Sequence, residues 1–125
     1  MKAKFYICSH CGNLIGMVKD KGVPVVCCGE KMQPLVPNTV EASGEKHIPV
    51  VKVEDGVVTV NVGSVDHPMA PEHFIEWVYV ETEKGGQRKN LNPGEAPEVK
   101  FWLGDEKAVA VYAYCNLHGL WMTEL

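Results

Sequence analysis

The sequence predicts a mainly β protein in which a small cysteine-rich module precedes an immunoglobulin-like antiparallel β-sandwich. Three observations support this fold class. Four of the five cysteines lie within the first 28 residues. Beyond them, roughly seven short apolar segments alternate with turns rich in glycine, proline and aspartate, as in a sandwich of short strands. No segment longer than a few residues has the apolar periodicity of a helix.

The N-terminal module spans residues 1–36. Segments 4–7 and 14–18 are strand candidates on either side of a tight turn at 8–12, and residues 22–27 return toward that turn. Such a short segment has too few large apolar residues to fold on burial alone. A bound metal would have to supply the missing stability.

The second domain, residues 37–125, opens with a polar connector at 38–46 and continues as strands. Asp55-Gly56 is a strong signal for a two-residue hairpin, because both positions of that turn need a left-handed backbone. Valines then alternate with other residues in the strand that follows, so one of its faces is apolar. The predicted strands are 48–54, 57–62, 74–83, 87–91, 99–103, 107–115 and 120–125.

Composition narrows the function classes. The net charge of −4 argues against a nucleic-acid partner, and no apolar run is long enough to span a membrane. The N-terminal residues lack the apolar core of a secretory signal, so we expect a cytoplasmic protein. An odd number of cysteines crowded at one end favours metal ligation in a reducing compartment over a secreted disulfide framework.

The first candidate site consists of Cys8, Cys11, Cys27 and Cys28. A CxxC-Gly turn combined with a second cysteine pair after fifteen residues is a strong signal for a tetrahedral four-thiolate site. Adjacent side chains on an extended chain point to opposite sides, so Cys27 and Cys28 need a bent backbone to reach one ion. Spacing alone favours structural zinc over a one-electron iron. His10, between the first two cysteines, is expected at the surface.

The second candidate site combines one cysteine with four histidines. Its members are His47, His67, His73, Cys115 and His118. A single histidine at a strand end is usually solvated, and a lone cysteine on an apolar face is usually only buried. Four of five histidines at strand ends or in proline-stiffened loops, together with one cysteine, indicate a redox metal site instead.

Other functions fit parts of this pattern. Cys115, His118 and Met122 have the spacing of a cupredoxin copper loop, which would make the chain an electron-transfer protein. That interpretation uses one upstream histidine and leaves two without a role. A rubredoxin-like electron-transfer protein and a zinc-stabilised interaction module are further alternatives.

Taken together, the motifs resemble those of the desulfoferrodoxins, the two-iron form of the superoxide reductase family. The resemblance covers essentially the whole chain. Its carriers are Cys8-x2-Cys11 with Cys27-Cys28, Glu45-Lys46-His47, His67-Pro68-Met69, His73 with Trp77, and Cys115-Asn116-Leu117-His118-Gly119.

The resemblance implies two iron ions per chain and reverses the preference for zinc. Residues 1–36 would form a desulforedoxin-like module, with a distorted rubredoxin-like iron on the four cysteines. Residues 37–125 would hold the second iron on four equatorial histidines and the axial Cys115. Glu45 would occupy the sixth position of the ferric ion, and Lys46 would lie beside it.

The resemblance also implies the activity and the partners. The family reduces superoxide to hydrogen peroxide by one electron, without releasing oxygen. Rubredoxin is the expected electron donor, and a cytoplasmic homodimer is the expected form.

Overall fold

The computed structural model describes residues 2–125, and the chain divides into two compact units, Met1–Val36 and Pro37–Leu125. In both units the paired strands run antiparallel. This confirms the predicted fold class of a cysteine-rich module followed by a β-sandwich.

The first unit contains five very short strands. They are β1 (Phe5–Ile7), β2 (Leu14–Gly16), β3 (Val26–Cys27), β4 (Glu30–Lys31) and β5 (Gln33–Pro34). A three-stranded sheet has the order β2-β1-β5, and β3 and β4 form a separate hairpin. Among residues 2–36, the buried hydrophobic residues are Phe5, Cys8 and Met32, whereas Val18 and Val23 are exposed. So small a core agrees with a unit that depends on bound metal.

The second unit is a sandwich of seven strands preceded by one turn of helix. Its elements are α1 (Gly44–His47), β6 (Pro49–Glu54), β7 (Val57–Val62), β8 (Ile75–Thr82), β9 (Gly85–Asn90), β10 (Glu98–Trp102), β11 (Ala108–Cys115) and β12 (Gly119–Glu124). One sheet has the order β10-β7-β6 and the other the order β12-β11-β8-β9. Within residues 2–125, α1 is the one helix assigned, and its four residues cannot cross a membrane.

The sandwich core follows from alternation along the strands. Val58, Val60 and Val62 of β7 are fully buried, and they face Val111, Ala113 and Cys115 of β11 within one cluster. Cys115 therefore ends an inward-facing row. The register between β11 and β8 shifts between Tyr114 and Cys115, so the irregularity falls where the candidate ligand leaves the sheet.

The helix α1 lies in the segment that was predicted as an irregular connector. It has a single turn, which is too short for its sequence to show a helical period. Tertiary contacts hold it: the backbone N–H of Val65 donates to the Glu45 carbonyl at 2.8 Å. A side chain on Gly63 would place its Cβ 2.6 Å from the same carbonyl oxygen. The backbone of the 63–65 loop can therefore reach the helix only because residue 63 is glycine.

The Asp55-Gly56 hairpin gives a stability prediction. Asp55 and Gly56 have φ of 51° and 74°, and a Cβ on Gly56 would lie 2.6 Å from the Gly104 carbonyl oxygen. Gly94 has φ of 89° but open space around it. Both Gly56→Ala and Gly94→Ala should cost about 1–2 kcal/mol through backbone strain. Gly56→Ala should lose a further ~1–3 kcal/mol to the clash.

Urea unfolding followed by tryptophan fluorescence measures this difference, since all three tryptophans lie in the second unit. Equal losses for the two variants would show that the contact between the Asp55-Gly56 turn and Gly104 is not tight.

Candidate metal centres

The four cysteines of the first unit converge. Their sulfur atoms all lie within 4.8 Å of one another, and none forms a disulfide. The Cys11 and Cys27 sulfurs are 3.6 Å apart. Two thiolates bound to one metal at about 2.3 Å with tetrahedral angles would be roughly 3.8 Å apart, whereas a disulfide needs about 2.05 Å. The spacing fits a four-thiolate metal site.

Left-handed backbone positions make the cluster possible. Gly12 and Gly29 follow the two cysteine pairs with φ of 82° and 76°, and Cys28 itself has φ of 53°. The bend expected between adjacent cysteines thus lies at Cys28. The backbone N–H of Cys11 donates to the Cys8 sulfur at 3.5 Å. The His10 side chain is exposed, as expected, and its Nε2 atom lies 3.1 Å from the Glu30 carboxylate.

The pKa values of two thiols in the cluster, Cys8 and Cys28, shift in opposite directions. Backbone N–H groups of Cys11 and His10 lower the pKa of Cys8 to about 6. Hydrogen bonds among the sulfurs, first from Cys11 and then from Cys8, raise the pKa of Cys28 to about 12. A cluster that holds one thiolate easily resists a second negative charge. A cation at its centre removes that resistance and deprotonates the remaining thiols.

In the second unit, strand ends and loops deliver the other candidate ligands to one point. His47 ends α1, and His67 and His73 lie in the connection from β7 to β8. Cys115 ends β11, and His118 lies in the turn to β12. Ligand atoms of His47, His67, His73 and Cys115 all lie within 4.8 Å of one another. The His118 Nδ1 atom joins them, 3.2 Å from the His47 Nε2 atom and 3.9 Å from the Cys115 sulfur.

The four imidazoles form a closed cycle. Centroid distances between neighbours are 4.6 Å for His47 and His67, 4.7 Å for His67 and His73, 5.1 Å for His73 and His118, and 5.0 Å for His118 and His47. Each of these pairs meets nearly edge to face, at 75° to 84°. His47 and His73 are opposite each other at 6.5 Å. The arrangement is that of four donors around a common centre.

Hydrogen bonds on the outer side of the cycle determine which nitrogens face inward. The His47 Nδ1–H donates to the Ser43 carbonyl, and the His67 Nδ1–H donates to the Pro68 carbonyl, both at 2.7 Å. In a neutral ring the other nitrogen then carries a lone pair. The two Nε2 atoms nevertheless lie 3.1 Å apart, so two lone pairs face each other. Two donors bound at right angles to one ion at about 2.1 Å would be about 3 Å apart.

His73 supplies independent support for a bound ion. Its Nε2 atom is buried and has no hydrogen-bond partner anywhere in residues 2–125. A buried nitrogen without a partner is costly, and a metal ion would satisfy it. The residues present therefore fit a metal held by imidazole nitrogens and a thiolate.

The pKa values of His47, His67 and His73 are lowered, which favours the neutral form that a metal ligand requires. Burial, reinforced by the neighbouring histidines, lowers the pKa of His67 to about 4. Burial also lowers the pKa of His47, and the pKa of His73 falls through burial and through its electrostatic interaction with His118. Lys46 contributes to lowering the pKa of both His47 and His73, so its ammonium is electrostatically coupled to the site.

Cys115 is fully buried, and burial raises the pKa of its thiol. Backbone N–H groups of Leu117 and His118 act in the opposite direction by donating to the sulfur. These two donors stabilise a thiolate and moderate the electron density that it offers to a metal. A metal ion would complete the deprotonation.

Glu45 and Lys46 lie on α1, directly before His47. Glu45 is exposed, and its carboxylate accepts a hydrogen bond from the Ser43 hydroxyl, the largest cause that lowers the pKa of Glu45. Lys46 is partly exposed. In this arrangement the Glu45 carboxylate is engaged with Ser43 at the start of the helix.

The copper alternative requires Met122 beside Cys115, and the register excludes this. Met122 pairs with Tyr112 across β11 and β12, whereas Trp121 pairs with Ala113. Directly opposed residues share a face, and side chains alternate along a strand. Met122 therefore lies on the sheet face opposite to Cys115, and a Cys-His-Met ligand set does not form.

Several contacts that shape the site were missed at the level of sequence. Trp121 stacks on His47 at 4.8 Å, and its ring N–H donates to the His118 carbonyl at 3.1 Å. The Ser43 and Pro68 carbonyls orient two of the histidines. Backbone carbonyls carry no residue-type signal, so no motif could have identified them.

Comparison with known proteins places these sites in a family. The family model described as Desulfoferrodoxin matches residues 39–124. The chain is 44% identical to the desulfoferrodoxin of Syntrophotalea carbinolica, covering 98% of this chain and 97% of that one. It is 41% identical to the desulfoferrodoxin of Nitratidesulfovibrio vulgaris, covering 97% and 95%.

Among solved structures, the superoxide reductase from Treponema pallidum matches with a TM-score of 0.83 and 43% identity, over 99% of this chain and 100% of that one. The four-cysteine cluster and the histidine-cysteine cluster are consistent with the two iron centres expected from the sequence. The chain belongs to the desulfoferrodoxin family.

Proposed function

We propose that this protein is a superoxide reductase, in which one electron and two protons convert superoxide to hydrogen peroxide without release of oxygen. The observation that carries the proposal is the convergence of four imidazoles and one cysteine sulfur on a single point. When bound there, iron supplies the single electron. The solved superoxide reductase from Treponema pallidum, which matches 99% of this chain, supports the assignment.

Under this proposal the chain holds two irons. Cys8, Cys11, Cys27 and Cys28 hold one of them in a desulforedoxin-like module of residues 1–36. His47, His67, His73, His118 and Cys115 hold the other in the superoxide reductase domain of residues 37–125. The converging sulfur and nitrogen atoms support both ligand sets.

Each remaining residue has a physical role. Cys115 donates electron density, which the Leu117 and His118 backbone N–H groups moderate. Lys46 attracts the anionic substrate and orders water that can deliver protons. Glu45 is proposed as a carboxylate that caps the oxidised site when no substrate is present. That role requires its carboxylate to leave the hydrogen bond with Ser43.

The proposal includes partners that the family resemblance supports. Turnover needs an external one-electron donor, for which rubredoxin is proposed. A homodimer in a reducing cytoplasm is proposed as the working form, since five free thiols suit that compartment.

The reaction itself is tested by stoichiometry. The reduced, iron-loaded chain should form one hydrogen peroxide for each superoxide consumed, and an oxygen electrode should detect no oxygen from the reaction. Oxygen equal to half of the superoxide consumed would indicate dismutation and would contradict the proposal. If the iron-loaded chain consumes no superoxide, and the protein as purified holds copper or zinc in both sites, an electron-transfer or structural protein would be favoured.

Lys46→Ala should slow the reaction with superoxide several-fold, because the encounter loses a positive charge close to the site. The rate should also depend less steeply on ionic strength. Pulse radiolysis at two salt concentrations measures both effects.

Lys52→Ala is the matched control for Lys46→Ala. Lys52 lies on β6, is well exposed and pairs with Glu54 at 3.2 Å, so its substitution changes the net charge equally. If the rate of reaction with superoxide and its dependence on ionic strength fall equally in both variants, the net charge of the protein rather than Lys46 attracts the substrate.

Cys115→Ser should remove the thiolate-to-iron charge-transfer band of the oxidised histidine-cysteine site. The bands of the four-cysteine iron, which uses other ligands, should stay unchanged and provide the internal control. An optical spectrum with iron quantitation is the measurement. A charge-transfer band that survives the substitution would show that Cys115 is not a ligand.

A further inference from the structure

Asn116 lies between Cys115 and the Leu117-His118 turn, and its side chain crosses to the segment that carries His73. The amide Oδ1 atom accepts from the backbone N–H of Phe74 at 3.0 Å, and the amide Nδ2–H donates to the Glu72 carbonyl at 3.0 Å. The backbone N–H of Asn116 also donates to the Phe74 carbonyl at 3.3 Å. Three hydrogen bonds thus join residue 116 to the two neighbours of His73.

His73 is held in a different way from the two histidines that precede it. The His47 and His67 rings are each oriented by a carbonyl close in sequence, at Ser43 and Pro68. The bonds that locate His73 are on the backbone. His73 and Ala70 exchange two N–H to carbonyl bonds, both at 3.0 Å. The Asn116 amide holds the two neighbours of His73, Glu72 and Phe74. The His73 ring is therefore only as well placed as this short backbone segment.

We propose that Asn116 is a positioning residue that fixes His73 relative to Cys115. The inference rests on the proposed function, because it takes both residues as ligands of one metal. Asn116 follows Cys115 directly, so its bonds tie the thiolate end of β11 to the His73 backbone without an intervening element. The Asn116 amide thus acts with the backbone bond between Asn116 and Phe74 to set the distance between His73 and Cys115.

The chemistry explains why the residue is asparagine. A carboxamide is planar and offers an acceptor and a donor together, and the Glu72 carbonyl and the Phe74 N–H need one of each. An aspartate keeps the acceptor but turns a carboxylate oxygen toward the Glu72 carbonyl. A leucine of similar volume keeps neither bond. Asn116→Asp therefore loses the bond to the Glu72 carbonyl and adds a charge, whereas Asn116→Leu loses both side-chain bonds without adding a charge.

The test compares Asn116→Asp and Asn116→Leu in the full-length, iron-loaded chain. Outer hydrogen bonds that orient a ligand typically account for 10- to 100-fold in metal affinity. Both variants should lower the affinity of the histidine-cysteine site for ferrous iron by about tenfold, measured by competition with a chelator. Both should also shift the thiolate charge-transfer band, whereas the four-cysteine iron should keep its spectrum.

Asn38→Asp is the matched control. The Asn38 amide makes the same pair of bonds, donating to the Met122 carbonyl at 3.0 Å and accepting from the Met122 N–H at 2.9 Å. Met122 is not a ligand, and aspartate tolerates the left-handed φ of 61° at position 38. This variant should lower stability but leave the charge-transfer band and the iron affinity unchanged.

The outcomes separate the two proposals. Wild-type band position and wild-type affinity in both Asn116 variants would overturn the positioning role while leaving the proposed function intact. Equal band shifts in Asn38→Asp and Asn116→Asp would show general loosening of the sandwich and would also overturn it. If the histidine-cysteine site of the wild-type chain shows no thiolate charge-transfer band, the metal assignment itself would be refuted. If Asn116→Leu does not fold, the comparison of the two aspartate variants decides.

Discussion

Electrostatic repulsion among the candidate metal-ligand atoms, which face one another with unshared electron pairs, is the constraint on which the second unit depends. Two Nε2 lone pairs face each other at 3.1 Å, the His73 Nε2 atom has no partner within residues 2–125, and a buried thiol adjoins them. In low dielectric such groups repel one another or remain unsatisfied, and a cation among them reverses the sign of each interaction. The loops between strands can close around this point because a metal offsets the repulsion.

The sandwich supplies rigidity from one side and the loops supply ligands from the other. Cys115 ends an inward-facing row of β11 and is packed against core residues of β7 and β8. The histidines come from a single helical turn, a proline-stiffened loop and the β11–β12 turn. Each segment is tied down locally, as when the Ser43 and Pro68 carbonyls orient His47 and His67. The packed end of β11 thus fixes the position of Cys115, and short hydrogen-bonded loops place the histidines around it.

In the first unit, bound metal stabilises a fold that has only a small hydrophobic core. It buries few hydrophobic residues, and its strands have only two or three residues each. Its four sulfurs lie within 4.8 Å of one another, and backbone N–H groups lower the pKa of Cys8 whereas hydrogen bonds among the sulfurs raise the pKa of Cys28. Metal binding here stabilises the fold itself, since too little apolar surface is buried to hold the strands together.

Residue type and spacing were enough to predict the sandwich, the Asp55-Gly56 hairpin and the two groups of candidate ligands, because alternation and metal chemistry depend on side-chain identity. Tertiary structure alone decided that α1 forms, since one helical turn has no periodicity and is held by the 63–65 loop. It also decided that Met122 faces away from Cys115, through strand register. Tertiary structure alone also determined which ring nitrogen of His47 and His67 faces the site. Backbone carbonyls select that nitrogen, and because every residue type has a backbone carbonyl, the sequence carries no signal for it.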